Sequence, residues 1–144
     1  YWDVHGSPLL LQAKLYELIY LLRQSSVFTE KRFWALQPAL EHIRRNLSGG
    51  LSIPRLAELC GMSEAAFYRA FRAGVGLSPK QYWLRLRLDK AAELLRSSRL
   101  PVTEIARKTG FCDSNYLTKC FTRRFALSPR AYRKMNSERR VQVS

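Results

Sequence analysis

Ile53-Pro54-Arg55-Leu56-Ala57-Glu58-Leu59-Cys60-Gly61 returns in altered form as Val102-Thr103-Glu104-Ile105-Ala106-Arg107-Lys108-Thr109-Gly110. Each copy sets an apolar opening residue, then Leu56 or Ile105, then Ala57 or Ala106, then a glycine four positions after the alanine, at an offset of 49. Past the glycine the offset becomes 50: Phe71 matches Phe121, Leu77-Ser78-Pro79 matches Leu127-Ser128-Pro129, and Tyr82 matches Tyr132. One residue is therefore inserted in the second turn. The small alanines let two helices approach closely. The glycines admit the left-handed backbone that ends a helix. Ser63 in one copy and Asp113 in the other are N-cap residues for a second helix. Phe67 and Phe71, or Leu117 and Phe121, recur at i, i+4 and mark its core face. Helix, short glycine turn and crossing helix form the helix-turn-helix pattern, here in two copies.

Outward from the repeats, the periodicity is helical and no stretch alternates like a strand. The fold class expected is all-α: two helix-turn-helix units joined by a long linker helix and preceded by an N-terminal helix. The first unit covers about 53–74, the linker helix about 79–96 and the second unit about 102–125. The recognition helices are expected at about 64–73 and 114–124. Ser78 caps the linker helix and Pro79 takes its N1 position. With no Gly or Pro inside, this helix is stiff. Some 17 residues span about 26 Å. With the flanking units added, two recognition helices reach a separation of about 34 Å, one turn of B-DNA.

Upstream, a helix is expected around Pro38 to Leu47, presenting Leu40, Ile43 and Leu47 and ended by Asn46 and Ser48-Gly49-Gly50. Residues 25–37 read as a linker or a short helix. Leu11, Leu15, Leu18 and Leu22 form one stripe on a helix over residues 8–24, with Ser7 as N-cap and Pro8 at N1. That stripe is either a homodimer seam or a face packed against a part of the protein outside this chain. The first residues, Tyr1-Trp2, lack an initiator Met and suggest a fragment of a longer protein.

The chain carries 25 basic and 11 acidic residues, a formal charge of +14, with a pI near 10.4. Residues 1–37 hold four basic against three acidic residues; residues 38–144 hold 21 against eight. The basicity thus lies with the repeats. A polyanionic partner follows, nucleic acid before an anionic membrane, with a merely solvated surface as the plain alternative. The apolar run around Leu15–Leu22 is too short and too polar to span a bilayer. Cys60, Cys112 and Cys120 form no CxxC and cannot all pair, and His5 and His42 lie far from them. No metal or other cofactor is expected. The cysteines read as packing groups in a reducing cytoplasm, with redox sensing at Cys112 as the alternative.

The segment Gly110-Phe111 through Phe121-Thr-Arg-Arg-Phe125-Ala-Leu-Ser-Pro-Arg-Ala-Tyr132-Arg133 closely resembles the signature of the AraC/XylS family of bacterial transcription regulators. The resemblance covers residues 38–136. Ala126 departs from it, standing where the family usually has glycine, as at Gly76. Residues 1–24 are loosely similar to the helical tail of the family's N-terminal sensor and dimerisation domain. The expected division is 1–37 for that remnant and a linker, 38–138 for the DNA-binding domain and 139–144 for a tail. The resemblance implies a cytoplasmic regulator of transcription, an activator that contacts RNA polymerase. It also implies a small-molecule effector, bound by an N-terminal domain outside this chain.

With Phe67 and Phe71 inward, the first recognition helix turns Glu64, Ala65, Tyr68 and Arg69 outward, and Arg72 further along. The planar fork of Arg69 matches O6 and N7 of guanine. By resemblance, Ala65, Tyr68 and Arg69 stand at positions used for base contact. Ala65 offers only a methyl to thymine, Tyr68 a base edge or phosphate contact. Glu64 either accepts from cytosine or complements the helix N-terminus. The second helix turns out Ser114, Asn115, Thr118 and Lys119, with Asn115 suited to adenine and Lys119 to guanine. Arg72, Lys80, Lys108, Arg123, Arg124 and Arg130 are phosphate contacts or plain surface charge.

Two other classes compete. One is the DNA-binding regulatory part of a DNA-repair enzyme, which calls for a reactive Cys in a metal-ligand cluster; the sequence has none, nor any other catalytic constellation. The chain is read as no enzyme. The other is a nonspecific architectural DNA protein, which calls for intercalating wedges and no outward base readers.

Overall fold

The computed structural model describes residues 15–19, 21, 31 and 33–142, and all regular structure among them is helical. From residue 37 on, the helices are α1 (Gln37–Arg45), α2 (Ile53–Leu59), α3 (Glu64–Val75), α4 (Pro79–Ser97), α5 (Val102–Lys108), α6 (Ser114–Phe125) and α7 (Pro129–Gln142). They form two small bundles strung on α4. Leu36, Ala39, Leu40, Ile43, Leu56, Ala57, Phe67 and Phe71 build the first core, against which Tyr82, Trp83 and Leu86 of α4 pack. Leu88, Ala91, Ala92 and Leu95, from the later turns of α4, join Ile105, Ala106, Phe111, Leu117, Cys120 and Phe121 in the second. One helix thus contributes to both interiors, and neither bundle closes without it.

The repeat is geometric as well as textual. In both turns the residue after the glycine donates its N–H to the alanine carbonyl five positions back, Met62 to Ala57 and Phe111 to Ala106, each at 2.9 Å. The inserted residue is therefore Cys112, which is exposed. Both glycines are left-handed, Gly61 at φ 63° and Gly110 at φ 77°. Ser63 Oγ accepts from the Ala66 N–H at 3.3 Å, and an Asp113 carboxylate oxygen accepts from the Tyr116 N–H at 2.7 Å. Phe71 meets Tyr82 edge-on at 5.6 Å, and fifty residues later Phe121 meets Tyr132 the same way at 5.3 Å. Ala126 ends α6 at φ 57°, the position Gly76 fills at φ 79° after α3. A Cβ in that region costs roughly 1–2 kcal/mol.

The linker helix runs 19 residues, about 28 Å at 1.5 Å per residue. A capping box starts it: the Ser78 N–H donates to Gln81 Oε1 at 3.0 Å, and the Gln81 N–H donates to Ser78 Oγ at 3.2 Å. At its end Ser97 and Ser98 hydroxyls donate back to the Glu93 and Leu94 carbonyls.

Three details differ from the sequence reading. Helix α1 stops at Arg45, so Leu47 packs from the following loop. Leu36, within the expected linker, is fully buried in the first core. Helix α7 continues to Gln142, past residue 138. Leu15 and Leu18 are helical and more than half exposed, while Leu11 and Leu22 of the same stripe, and Ser7 and Pro8, lie outside the described residues. No helix among the described residues is long and apolar enough to cross a membrane.

Candidate nucleic-acid interface

In α3, Phe67 and Phe71 are completely buried and hold the helix against the first core. The residues out of phase with them, Glu64, Ala65, Tyr68, Arg69 and Arg72, are exposed. Tyr68 is a large aromatic left 45% accessible on an otherwise polar face. Glu64 sits in the first turn, where a carboxylate complements the helix N-terminus.

In α6, Leu117, Cys120 and Phe121 face inward, and Asn115 and Lys119 face solvent. Ser114 and Thr118 are half-buried. They line a groove of about 470 Å³ with Pro101, Val102, Thr103, Asn115, Ser128, Pro129 and Arg130. The Thr118 hydroxyl donates to the Ser114 carbonyl at 2.7 Å, which leaves its oxygen as an acceptor only. The groove gathers the first turns of α5, α6 and α7, whose free N–H groups and partial positive charge suit an anion, with Arg130 at its edge. Lys80 follows Ser78-Pro79 in the first unit as Arg130 follows Ser128-Pro129 in the second.

Among the described residues, Arg69, Arg72, Lys80, Lys108, Lys119, Arg123 and Arg130 enter no ion pair. Arg55 and Arg107, on the first helix of each motif, are held by Glu58 at 2.7 Å and Glu104 at 2.5 Å. The Arg107 hydrogen bond draws the Glu104 carboxyl below its usual range, and the same bond raises Arg107. Arg124 differs from its neighbours. It donates to Asp89 of α4 at 2.7 Å and lies over the Phe125 ring, so its charge stitches α6 to the linker helix.

Two residues near this surface were not singled out by the sequence. Tyr116 is 46% exposed beside Asn115 and meets the Phe111 ring at a tilt, centre to centre 5.9 Å. The Cys120 thiol beside it holds its phenol above the usual value. Arg85 is exposed and, with Arg123 and Arg124, borders an apolar groove between α4 and α6. Neither sits in a repeated position, so the comparison of copies passes over both.

A helix-turn-helix domain family matches residues 56–135, more than half of the chain. The chain belongs to the AraC family of DNA-binding transcription regulators. It is 36% identical over 119 residues to the HTH-type transcriptional activator RhaS of Escherichia coli strain SE11, covering 81% of this chain and 43% of that one. It is 28% identical over 132 residues to the probable transcriptional regulator LumQ of Photobacterium leiognathi, covering 89% and 53%. The chain thus spans about half the length of these relatives. Among solved structures, the DNA-binding domain of AdpA, in complex with a target DNA, superposes with a TM-score of 0.69 at 32% identity, covering 74% of this chain and 96% of that one. An AraC-type regulator from Chromobacterium violaceum superposes at 0.67 with 26% identity, covering 71% and 91%.

Proposed function

We propose that this chain binds one asymmetric, bipartite DNA site, with α3 and α6 in successive major-groove segments, and that the protein it belongs to activates transcription. The observation that carries this reading is the pair of unlike recognition helices held on one continuous 19-residue helix. Arg69 reads guanine in one block; Asn115 reads adenine and Lys119 guanine in the other. Ala65 meets a thymine methyl, and Tyr68 a base edge or phosphate. Ser114 and Thr118 present their oxygens from the groove wall, and Glu64 serves the N-terminus of α3. Arg72, Lys80, Lys108, Arg123 and Arg130 take phosphates, which set register without reading sequence. Arg124 is left out of this set because Asp89 already holds it.

The activator role is supported by the name of RhaS, and the DNA partner by the AdpA complex. RNA polymerase contact, an effector bound by an N-terminal domain and dimerisation through the leucine stripe belong to the same proposal, supported by the family resemblance and by relatives about twice as long.

Selection of bound sites from random DNA tests it. The expected product is one site with two unlike short blocks about one helical turn apart. Equal affinity for random DNA would make the chain an architectural binder instead.

A further inference from the structure

One side chain outside the candidate interface touches parts of both motifs. Arg87, in the middle of α4, is 7% exposed and forms no ion pair with any described residue. Its Nε donates to the Leu47 carbonyl at 2.7 Å and its Nη2 to the Gly49 carbonyl at 3.4 Å, both in the loop that leaves α1. Its guanidinium lies 3.6 Å from the centre of the Trp83 ring, which packs on the first core, and 5.6 Å from that of Phe111, which belongs to the second. Burial pushes its pKa down. The same loop abuts the turn of the second motif. A Cβ on Gly110 would meet the Arg87 guanidinium, the Ser48 Cα at 2.7 Å and the Ser48 carbonyl oxygen at 2.8 Å.

We infer that Arg87, with the bare Gly110 backbone beneath it, locks the first motif to the second and so sets the spacing between the two DNA blocks that the chain accepts. Both cores seat their bundles on α4, so what the shared helix leaves open is a small residual roll of one bundle against the other through twist of α4 between them. The Arg87 and Gly110 contacts are side-on to α4, where they oppose that roll. Stability alone gives a buried guanidinium without a carboxylate little purpose, since an apolar side chain of similar length fills such a site as well or better. What the guanidinium adds is direction: two aimed donors and a flat face fit one arrangement of loop, helix and turn. Arg87 touches no proposed DNA contact, so it acts as a positioning residue, and this inference rests on the bipartite reading.

One inserted base pair moves the second block by about 3.4 Å and about 34°. The test measures affinity of the 144-residue chain for the selected site and for copies with one base pair added or removed between the blocks. The wild type should lose about 10-fold or more on each altered spacing, and Arg87→Met about 3-fold or less, with Arg87→Lys between them. On the original spacing Arg87→Met should bind about 3- to 10-fold more weakly, from lost preorganisation. Backbone NMR relaxation without DNA gives a second readout: one tumbling frame for both motifs in the wild type, two in Arg87→Met. A folded Arg87→Met with the wild-type spacing profile and one frame overturns the inference. If Arg87→Met fails to fold, Arg87→Lys, which keeps the stem and a charge but not the paired donors or the flat face, decides on the same two readouts. If selection returns no bipartite site, the functional reading fails while the tumbling measurement still judges the lock.

Discussion

The two helix-turn-helix units share one frame, apart from the inserted Cys112, and differ in what that frame displays. Alanine-to-turn bonds of 2.9 Å, left-handed glycines and an edge-on Phe–Tyr pair recur in both. On the outer face α3 shows Ala65, Tyr68 and Arg69, whereas α6 shows Asn115 and Lys119 beside the groove that holds Ser114 and Thr118. Core positions answer to the bundle and so repeat. Outward positions answer to nothing in the bundle and are free to diverge. The units are therefore equal as scaffolds and unequal in the side chains they turn outward.

The largest expected effect breaks the scaffold side of this comparison. Phe121→Ala and Phe71→Ala should each cost about 3–5 kcal/mol, since both rings are wholly buried. Urea unfolding followed by separate probes in each unit checks this. Because α4 belongs to both cores, either change should lower both transitions, and loss of one unit alone would show that the bundles fold independently.

Next come the readers. Arg69→Ala and Lys119→Ala should each cost about 1–3 kcal/mol on the selected site and relax one position, in different blocks. Competition binding against single-position site variants reads this. Uniform loss across all variants would turn either residue into a phosphate anchor.

The phosphate side is smaller and predicts likeness between the units. Lys80→Ala and Arg130→Ala, at matched positions, should each flatten the slope of log K against log salt by about 1. Arg124→Ala should leave that slope near its starting value and lower stability instead, because its partner is Asp89. A full unit of slope lost with Arg124 would return it to the DNA.

The smallest effect lies in the caps. Ala126→Gly should stabilise by about 0.5–1 kcal/mol, and Gly76→Ala should destabilise by a similar amount, by relieving or adding a Cβ at positive φ. Thermal denaturation of the pair measures whether the two helix ends are as interchangeable as their backbones.

Much of this was legible in the chain. The recognition helices end within two residues of where the repeats place them, and Ser63, Ser78 and Asp113 cap as read. Such features depend on neighbours a few positions away, so local sequence carries them. Leu36 is in phase with Leu40 and Ile43, four and seven positions on, but Pro38 marks a helix start and so set it outside the helix expected from the sequence. The Arg124–Asp89 pair is not legible in the sequence, because nothing local announces Asp89, 35 positions earlier. Nothing in the sequence singles out Arg87, since a long basic side chain on a helix is ordinarily exposed.

By itself, then, the sequence determined two helix-turn-helix units, their order, their caps, their core faces and the residues they turn outward. Periodicity, turn chemistry and side-chain type act over a single turn or one repeat, and all of these follow from them. Only the tertiary structure decided which charges remain free and how one unit sits against the other. Arg87 reaches back 40 and 38 residues to the Leu47 and Gly49 carbonyls, and the Gly110 backbone closes on Ser48. Contacts at such separations exist only once both cores have closed on α4, and no local pattern encodes them.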